Sequence, residues 1–140
     1  LKKAGFVVAV ATNQSGIARG LLDEDTLAAM HARFRQLLAE RGCTLDMIVW
    51  CPHGPNDGCD CRKPQPGLLL RLARHYGVGL SGVPVIGDSA RDLEAARAAG
   101  AQPVLVRTGN GEETERKNPH LADGVFDDIL QAVNYIVSGD

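Results

Sequence analysis

No run of apolar residues in this 140-residue sequence approaches the length needed to span a membrane, and no secretory leader pattern opens it. Charge of one sign is also lacking. Fifteen Lys and Arg against 17 Asp and Glu leave a net charge of −2, which gives no electrostatic case for nucleic acid or a membrane surface as a partner. There is no internal repeat and no low-complexity tract. Cysteine is sparse at four residues, and three of them fall in one short stretch, a usage that fits metal binding in a reducing cytoplasm better than a disulfide framework. What remains has the length of one domain, residues 1–140, with a real core, and is expected to act as a monomer.

Strand-like and helix-like patterns alternate, which predicts an α/β fold: a three-layer, Rossmann-like, doubly wound and mostly parallel sheet. Phe6 to Ala11 is a continuous apolar run with the character of a buried parallel strand, ending in the polar loop Thr12-Asn13-Gln14-Ser15-Gly16. A helix is predicted over 23–41, capped by Asp23 or Asp25, with Leu27, Met30, Phe34, Leu37 and Leu38 on its apolar face. Further strands are predicted over 47–50, 83–86, 103–106 and 125–126, and further helices over 68–75, 90–99 and from Asp127 or Asp128 through Val137. Arg107 to Asp123 reads as a polar loop, and Cys43 as a packed thiol. Leu1-Lys2-Lys3-Ala4-Gly5 reads as the last turn of a helix, with cations at its carboxyl end and Gly5 as a left-handed cap. One turn does not stand alone, so the chain is expected to be entered partway through a unit, with something upstream missing.

The stretch from Cys51 to Pro64 (Cys-Pro-His-Gly-Pro-Asn-Asp-Gly-Cys-Asp-Cys-Arg-Lys-Pro) is the most informative. Cys51, His53, Cys59 and Cys61 form a Cys3His set, a usual ligand count for tetrahedral structural zinc. Scattered structural cysteines and disulfides are the other readings; an adjacent Cys-x-Cys bridge would be strained. Turn formers between the ligands prevent a helix or strand from running through. The zinc loop is placed at residues 51–67. Four protein ligands leave no open position for water, so the zinc is expected to fold the loop and aim Arg62 and Lys63 rather than do chemistry.

Three polar clusters lie at carboxyl ends of predicted strands or in the adjoining loop: Thr12-Asn13, Arg62-Lys63, and Asp88-Ser89-Ala90-Arg91-Asp92. In a doubly wound fold that rim is where ligands bind, and this group of side chains would suit a phosphate with a Mg²⁺ corner. Each has a plainer reading: a chain turn for Thr12-Asn13, a solvated pair for Arg62-Lys63, and a helix N-cap for Asp88. Asp92 is expected to support the helix start or to stand behind another site residue. His31 and His75 are expected at the surface or in packing, and His120 has no visible partner.

Read together and in order, Thr12 to Gly20, Cys51 to Gly67 with its Cys-Arg-Lys-Pro-x-Pro-Gly ending, and Gly87-Asp88-Ser89…Asp92 resemble the D-glycero-D-manno-heptose 1,7-bisphosphate phosphatases of the haloacid dehalogenase superfamily. The resemblance covers nearly the whole chain. It implies a Mg²⁺-dependent phosphatase that removes the C7 phosphate of a small-molecule sugar bisphosphate through an aspartyl-phosphate, serving ADP-heptose and lipopolysaccharide core synthesis. It further implies that Thr12 and Lys63 stabilise the transferring phosphoryl group and that Arg62 recognises substrate at its anomeric phosphate. Asp88 would bind Mg²⁺, and Asn13, Gln14, Ser15 and Ser89 would line the substrate site.

The sequence departs from the family at the first motif, Asp-x-Asp-Gly-Thr/Val, since no Asp-x-Asp follows an apolar strand. That motif would supply the nucleophile, the acid/base and half the metal site. The expectation is therefore a chain short at its amino terminus by roughly 30 residues or more, inactive as it stands. Two alternatives are a histidinol-phosphate phosphatase and a non-catalytic, zinc-stabilised sugar-phosphate binding module.

Overall fold

Strands and helices alternate along the chain in the computed structural model, which describes residues 1–139. They form two compact units, Leu1–Arg62 and Lys63–Asp140. No helix among the described residues is long and apolar enough to cross a membrane.

The first unit opens with a 3₁₀ turn over Lys2–Ala4, and Gly5 closes it at φ 86°, donating its N–H to the Lys2 carbonyl. Such a positive φ suits glycine, which has no Cβ to clash. Strand β1 (Ala9–Asn13) pairs in parallel with β2 (Met47–Cys51), with Ala9 opposite Met47 and Asn13 opposite Cys51. The apolar run begins at Phe6, but the strand begins only at Ala9. The reason lies at Asp46: the Val8 N–H donates to its carboxylate at 2.7 Å instead of to a ladder partner, and Lys2 pairs with the same oxygen at 2.6 Å. Phe6 and Val7 are exposed, and β1 is half-buried throughout.

Helix α1 (Glu24–Ala39) crosses between these strands, capped by the Asp23 carboxylate, which accepts from the Thr26 N–H at 2.7 Å. Its buried anchor is Leu27. Met30 and Phe34, expected on the inner face, are exposed, while Leu37 and Leu38 are half-buried. Ile48, Val49 and Cys51 of β2 are buried, while Trp50 is exposed and meets His31 edge-on at 5.2 Å. Cys43 is exposed rather than packed.

The second unit carries α2 (Gly67–Tyr76), β3 (Pro84–Gly87), α3 (Ala90–Ala98), β4 (Gln102–Val106), α4 (Gly111–Lys117), β5 (Gly124–Phe126) and α5 (Ile129–Ser138). Its sheet is parallel in the order β3-β4-β5. The central β4 buries Pro103, Val104, Leu105 and Val106 in succession, the pattern of a strand covered on both faces. Pro103 is its second residue, so the missing N–H falls at the first rungs of the ladder.

Helix α4 lies within the stretch expected to be a polar loop. It has no apolar face to give a periodic signal: only Gly111 and Thr114 are buried. Its support is electrostatic and tertiary. Arg107 forks onto Glu115 with bonds of 2.8 and 2.9 Å, Lys117 pairs with Glu113 at 2.6 Å, and the Thr114 hydroxyl donates to the Asp88 carbonyl at 2.8 Å. Gly111 sits so close to β4 that an added Cβ would stand 1.8 Å from the Val106 carbonyl oxygen. Gly111→Ala is expected to cost about 2–3 kcal/mol, since backbone must move to admit the methyl. Urea unfolding checks this, and an unchanged midpoint would mean that α4 shifts freely.

Candidate active site and metal centre

β2 ends on Cys51, whose side chain is buried at the floor of the following loop. The loop returns on itself at Gly54–Gly58, where the Gly54 N–H donates to the Asp57 carboxylate at 2.7 Å. This turn brings Cys59 and Cys61 back beside Cys51 and His53, and the four ligand atoms all lie within 4.8 Å of one another. His53 Nδ1 stands 3.4 Å from Cys51 Sγ and 3.3 Å from Cys61 Sγ, and Cys51 Sγ is 3.6 Å from Cys59 Sγ and 2.9 Å from Cys61 Sγ. Bonds of zinc to sulfur and nitrogen imply tetrahedron edges of ~3.5–3.8 Å; one of these separations falls in that range, two lie just below it and one closes tighter. The donor set and its spacing fit zinc. All four cysteines are free thiols, which removes the disulfide reading.

Protons are unevenly held in the cluster. Burial opposes ionisation of Cys59, yet N–H groups of Arg62 and Cys61 and the neighbouring thiols outweigh it and bring its thiol down to about 7. Burial and the adjacent sulfurs of Cys51 and Cys59 push Cys61 up to about 12. Zinc must displace such protons to bind.

The rest of the first unit's polar cluster is tied to this loop. The Gln14 N–H donates to the Cys51 carbonyl at 2.8 Å and the Ala18 N–H to the Pro52 carbonyl at 3.2 Å, so Gln14-Ser15-Gly16-Ile17-Ala18 is pinned to the entrance of the zinc loop. Thr12 and Asn13 are the last residues of β1 itself. The Gln14 amide donates to Thr12 Oγ1 at 3.1 Å, and the Thr12 hydroxyl itself donates to the Asn13 carbonyl at 3.5 Å, a long bond. Arg62 reaches back to the His53 carbonyl at 3.2 Å, which ties its guanidinium to the zinc loop.

In the second unit, Lys63 pairs with Asp92 at 2.6 Å, with side chains only 15% and 12% exposed. Burial disfavours the Asp92 carboxylate, but Lys63 and Ser89 more than offset it and hold its pKa below the ordinary range. Asp92 Oδ2 also accepts from the Ser89 hydroxyl at 2.7 Å and from its N–H at 3.2 Å, completing a capping box that starts α3. Gly87 makes this possible, since a Cβ there would lie 2.4 Å from Asp92 Cβ. Ser89, not Asp88, is therefore the cap, and its hydroxyl proton is already committed.

Asp88 turns instead to the segment after β4. Its Oδ2 accepts from the Asn110 N–H at 2.9 Å and from the Asn110 side-chain amide at 3.3 Å. Sequence reasoning gave no hint of Asn110 or Thr114 here, because neither belongs to a motif and both lie more than 20 residues from Asp88. Among the described residues the zinc set is the one group of three or more potential metal-binding side chains, so Asp88 offers a single carboxylate corner. That suits Mg²⁺, which takes oxygen ligands and retains waters.

A family model of HAD-hydrolase-like proteins matches residues 60–132. The chain is 60% identical over 137 residues to the D-glycero-beta-D-manno-heptose-1,7-bisphosphate 7-phosphatase of Pseudomonas putida, an alignment that covers 98% of this chain and 78% of that one. Against the enzyme of the same name from Escherichia coli K12 it is 40% identical, covering 95% and 74%. The crystal structure of the D,D-heptose 1,7-bisphosphate phosphatase of B. bronchiseptica, complexed with magnesium and phosphate, superposes with a TM-score of 0.95 at 46% identity, covering 100% of this chain and 79% of that one.

Proposed function

The chain belongs to the HAD-like family of D-glycero-beta-D-manno-heptose-1,7-bisphosphate 7-phosphatases, and from that membership we propose that the protein hydrolyses the C7 phosphate ester of the heptose bisphosphate. The product would feed ADP-heptose synthesis for the lipopolysaccharide core. The observation that carries the reading is 60% identity across 98% of the chain. The free thiols of the zinc loop support a reducing compartment, the cytoplasm, as its place of action.

The chain's own groups divide the work. Thr12 donates its hydroxyl proton to the phosphoryl oxygens in place of its long 3.5 Å bond to the Asn13 carbonyl, while the Gln14 amide holds a lone pair on Oγ1. Lys63 brings a cation whose geometry Asp92 fixes. Arg62, braced on the His53 carbonyl, grips the second phosphate with its remaining N–H groups. Asn13, Gln14 and Ser15 line the sugar, and Ser89 contributes lone pairs, since its proton goes to Asp92. Asp88 holds Mg²⁺, and the zinc set is structural; magnesium there would neutralise charge on the phosphoryl group.

An aspartate pair must still supply nucleophile and acid/base, as in the family's first motif. The sole Asp-x-Asp in these residues, Asp23-Glu24-Asp25, starts α1, with Asp23 engaged as the cap. We therefore expect a polypeptide limited to these 140 residues to release no phosphate, and one that carries such an aspartate pair to release one equivalent from heptose 1,7-bisphosphate with Mg²⁺ present. Phosphate release is read in parallel with histidinol phosphate. Faster turnover of the latter would replace the substrate assignment, and binding of the bisphosphate without hydrolysis would replace the enzyme with a binding module.

A further inference from the structure

The geometry points to Asn110, with Gly109 and Thr114 around it, as the device that positions Asp88 for its cation; this rests on the reading of Asp88 as the Mg²⁺ ligand. Three independent features converge on that one residue. The Asn110 backbone N–H and side-chain amide both donate to Asp88 Oδ2, at 2.9 and 3.3 Å. The Thr114 hydroxyl donates to the Asp88 carbonyl at 2.8 Å, fixing the backbone from which the carboxylate projects. Gly109 stands at φ 63°, and a Cβ there would lie 2.3 Å from Asp88 Oδ2, so the chain passes closer to the carboxylate than any residue with a side chain could.

A helix cap alone does not require this arrangement. Asn110 is itself the residue before α4, and the cap of α3 is provided by Ser89 and Asp92 without Asp88. Both Asn110 donors fall on Oδ2, which leaves Oδ1 for a cation. A carboxylate held in this way binds through one oxygen with little freedom to swing. Mg²⁺ demands near-ideal octahedral geometry at short range, so it is sensitive to such restraint. Partners that orient a metal ligand typically account for 10–100-fold in metal affinity. Asn110 thus acts through Asp88 and is a positioning residue, one that does not touch the reacting atoms.

The test is Mg²⁺ titration of the full-length gene product by calorimetry, beside its metal-free melting temperature. Asn110→Ala keeps the backbone donor and removes the amide; the Mg²⁺ dissociation constant is expected to rise about tenfold, the lower end of that range. Asn110→Asp sets a second carboxylate against Oδ2, and Thr114→Val releases the backbone; both are expected to weaken Mg²⁺ further or equally. Asn110→Ala and Asn110→Asp should move the melting temperature by no more than a degree or two, since Asn110 is exposed, whereas Thr114→Val removes a bond that supports α4 and is expected to lower it by a few degrees without unfolding the protein. Unchanged Mg²⁺ affinity in Asn110→Ala and Thr114→Val would overturn the proposal, and so would a loss of affinity matched by loss of the fold in all three variants. Asp88→Asn separates the two layers of the inference. If it leaves Mg²⁺ binding intact, Asp88 is not the ligand; if it abolishes binding while Asn110→Ala does nothing, only the positioning role fails.

Discussion

Cys59→Ser is expected to lower the melting temperature of the protein by about 10 °C or more and to leave it without stoichiometric zinc. Four ligand atoms gathered within 4.8 Å come from a loop with no strand or helix of its own between Cys51 and Cys61. Such a loop has little apolar burial to hold it: Pro55, Asn56, Asp57 and Gly58 are exposed. Metal binding is then the main compensation for its ordering entropy, and for structural zinc that contribution is on the order of 10 kcal/mol, of which loss of one thiolate forfeits a large part. The effect should spread to the Gln14–Ala18 segment, whose N–H groups rest on carbonyls of Cys51 and Pro52. Chelation of the wild-type protein should reproduce the variant, and acidification should favour zinc release because thiol protons compete for the same sulfurs. Zinc content measured with the melting curve decides it. A protein that loses its zinc and melts unchanged would show that the loop is held by something else.

Lys63→Met is expected to produce the second large effect, and in two separable ways. Activity of the full-length gene product should fall by roughly 10²–10³ in kcat, the usual scale for removing one preorganised charge from a transferring group. Stability should fall by about 3–5 kcal/mol, because Asp92 is left as a buried carboxylate without its cation. The double variant Lys63→Met/Asp92→Asn should recover most of the stability, since Asn still accepts from Ser89, yet remain inactive. That divergence distinguishes a catalytic lysine from a merely structural one; activity returning with stability would refute the role. The pH dependence has a definite sign. Asp92 has a folded-state pKa below its ordinary value, so its ion pair contributes fully above the usual carboxylate range and is lost as pH falls through the lowered value. The stability gap between wild type and Lys63→Met should therefore narrow towards acid pH.

The zinc ligands were legible because all four lie within one loop, where spacing and turn residues nearly determine the geometry. The buried β4 was legible for a similar reason: four successive buried positions write themselves as an apolar run. By contrast, the apolar run at Phe6 overstated β1, since the side chain of Asp46, far along the chain, takes the Val8 N–H. Helix α4 left no trace in the hydrophobic pattern, because Arg107, Glu115 and the Asp88 carbonyl support it instead of an apolar face.

The sequence by itself determined the alternating α/β order, the metal-clipped loop and the identity of the polar residues that flank it. These depend on residue type and on neighbours within a turn or a strand period, which local sterics and ligand chemistry fix. Only the tertiary structure decided that Lys63 is neutralised by Asp92, that Ser89 rather than Asp88 starts α3, and that Asp88 is held by Asn110. A buried or oriented charge must find its partner in space, and folding can bring that partner from 20 or 30 residues away without leaving any periodic mark in the chain.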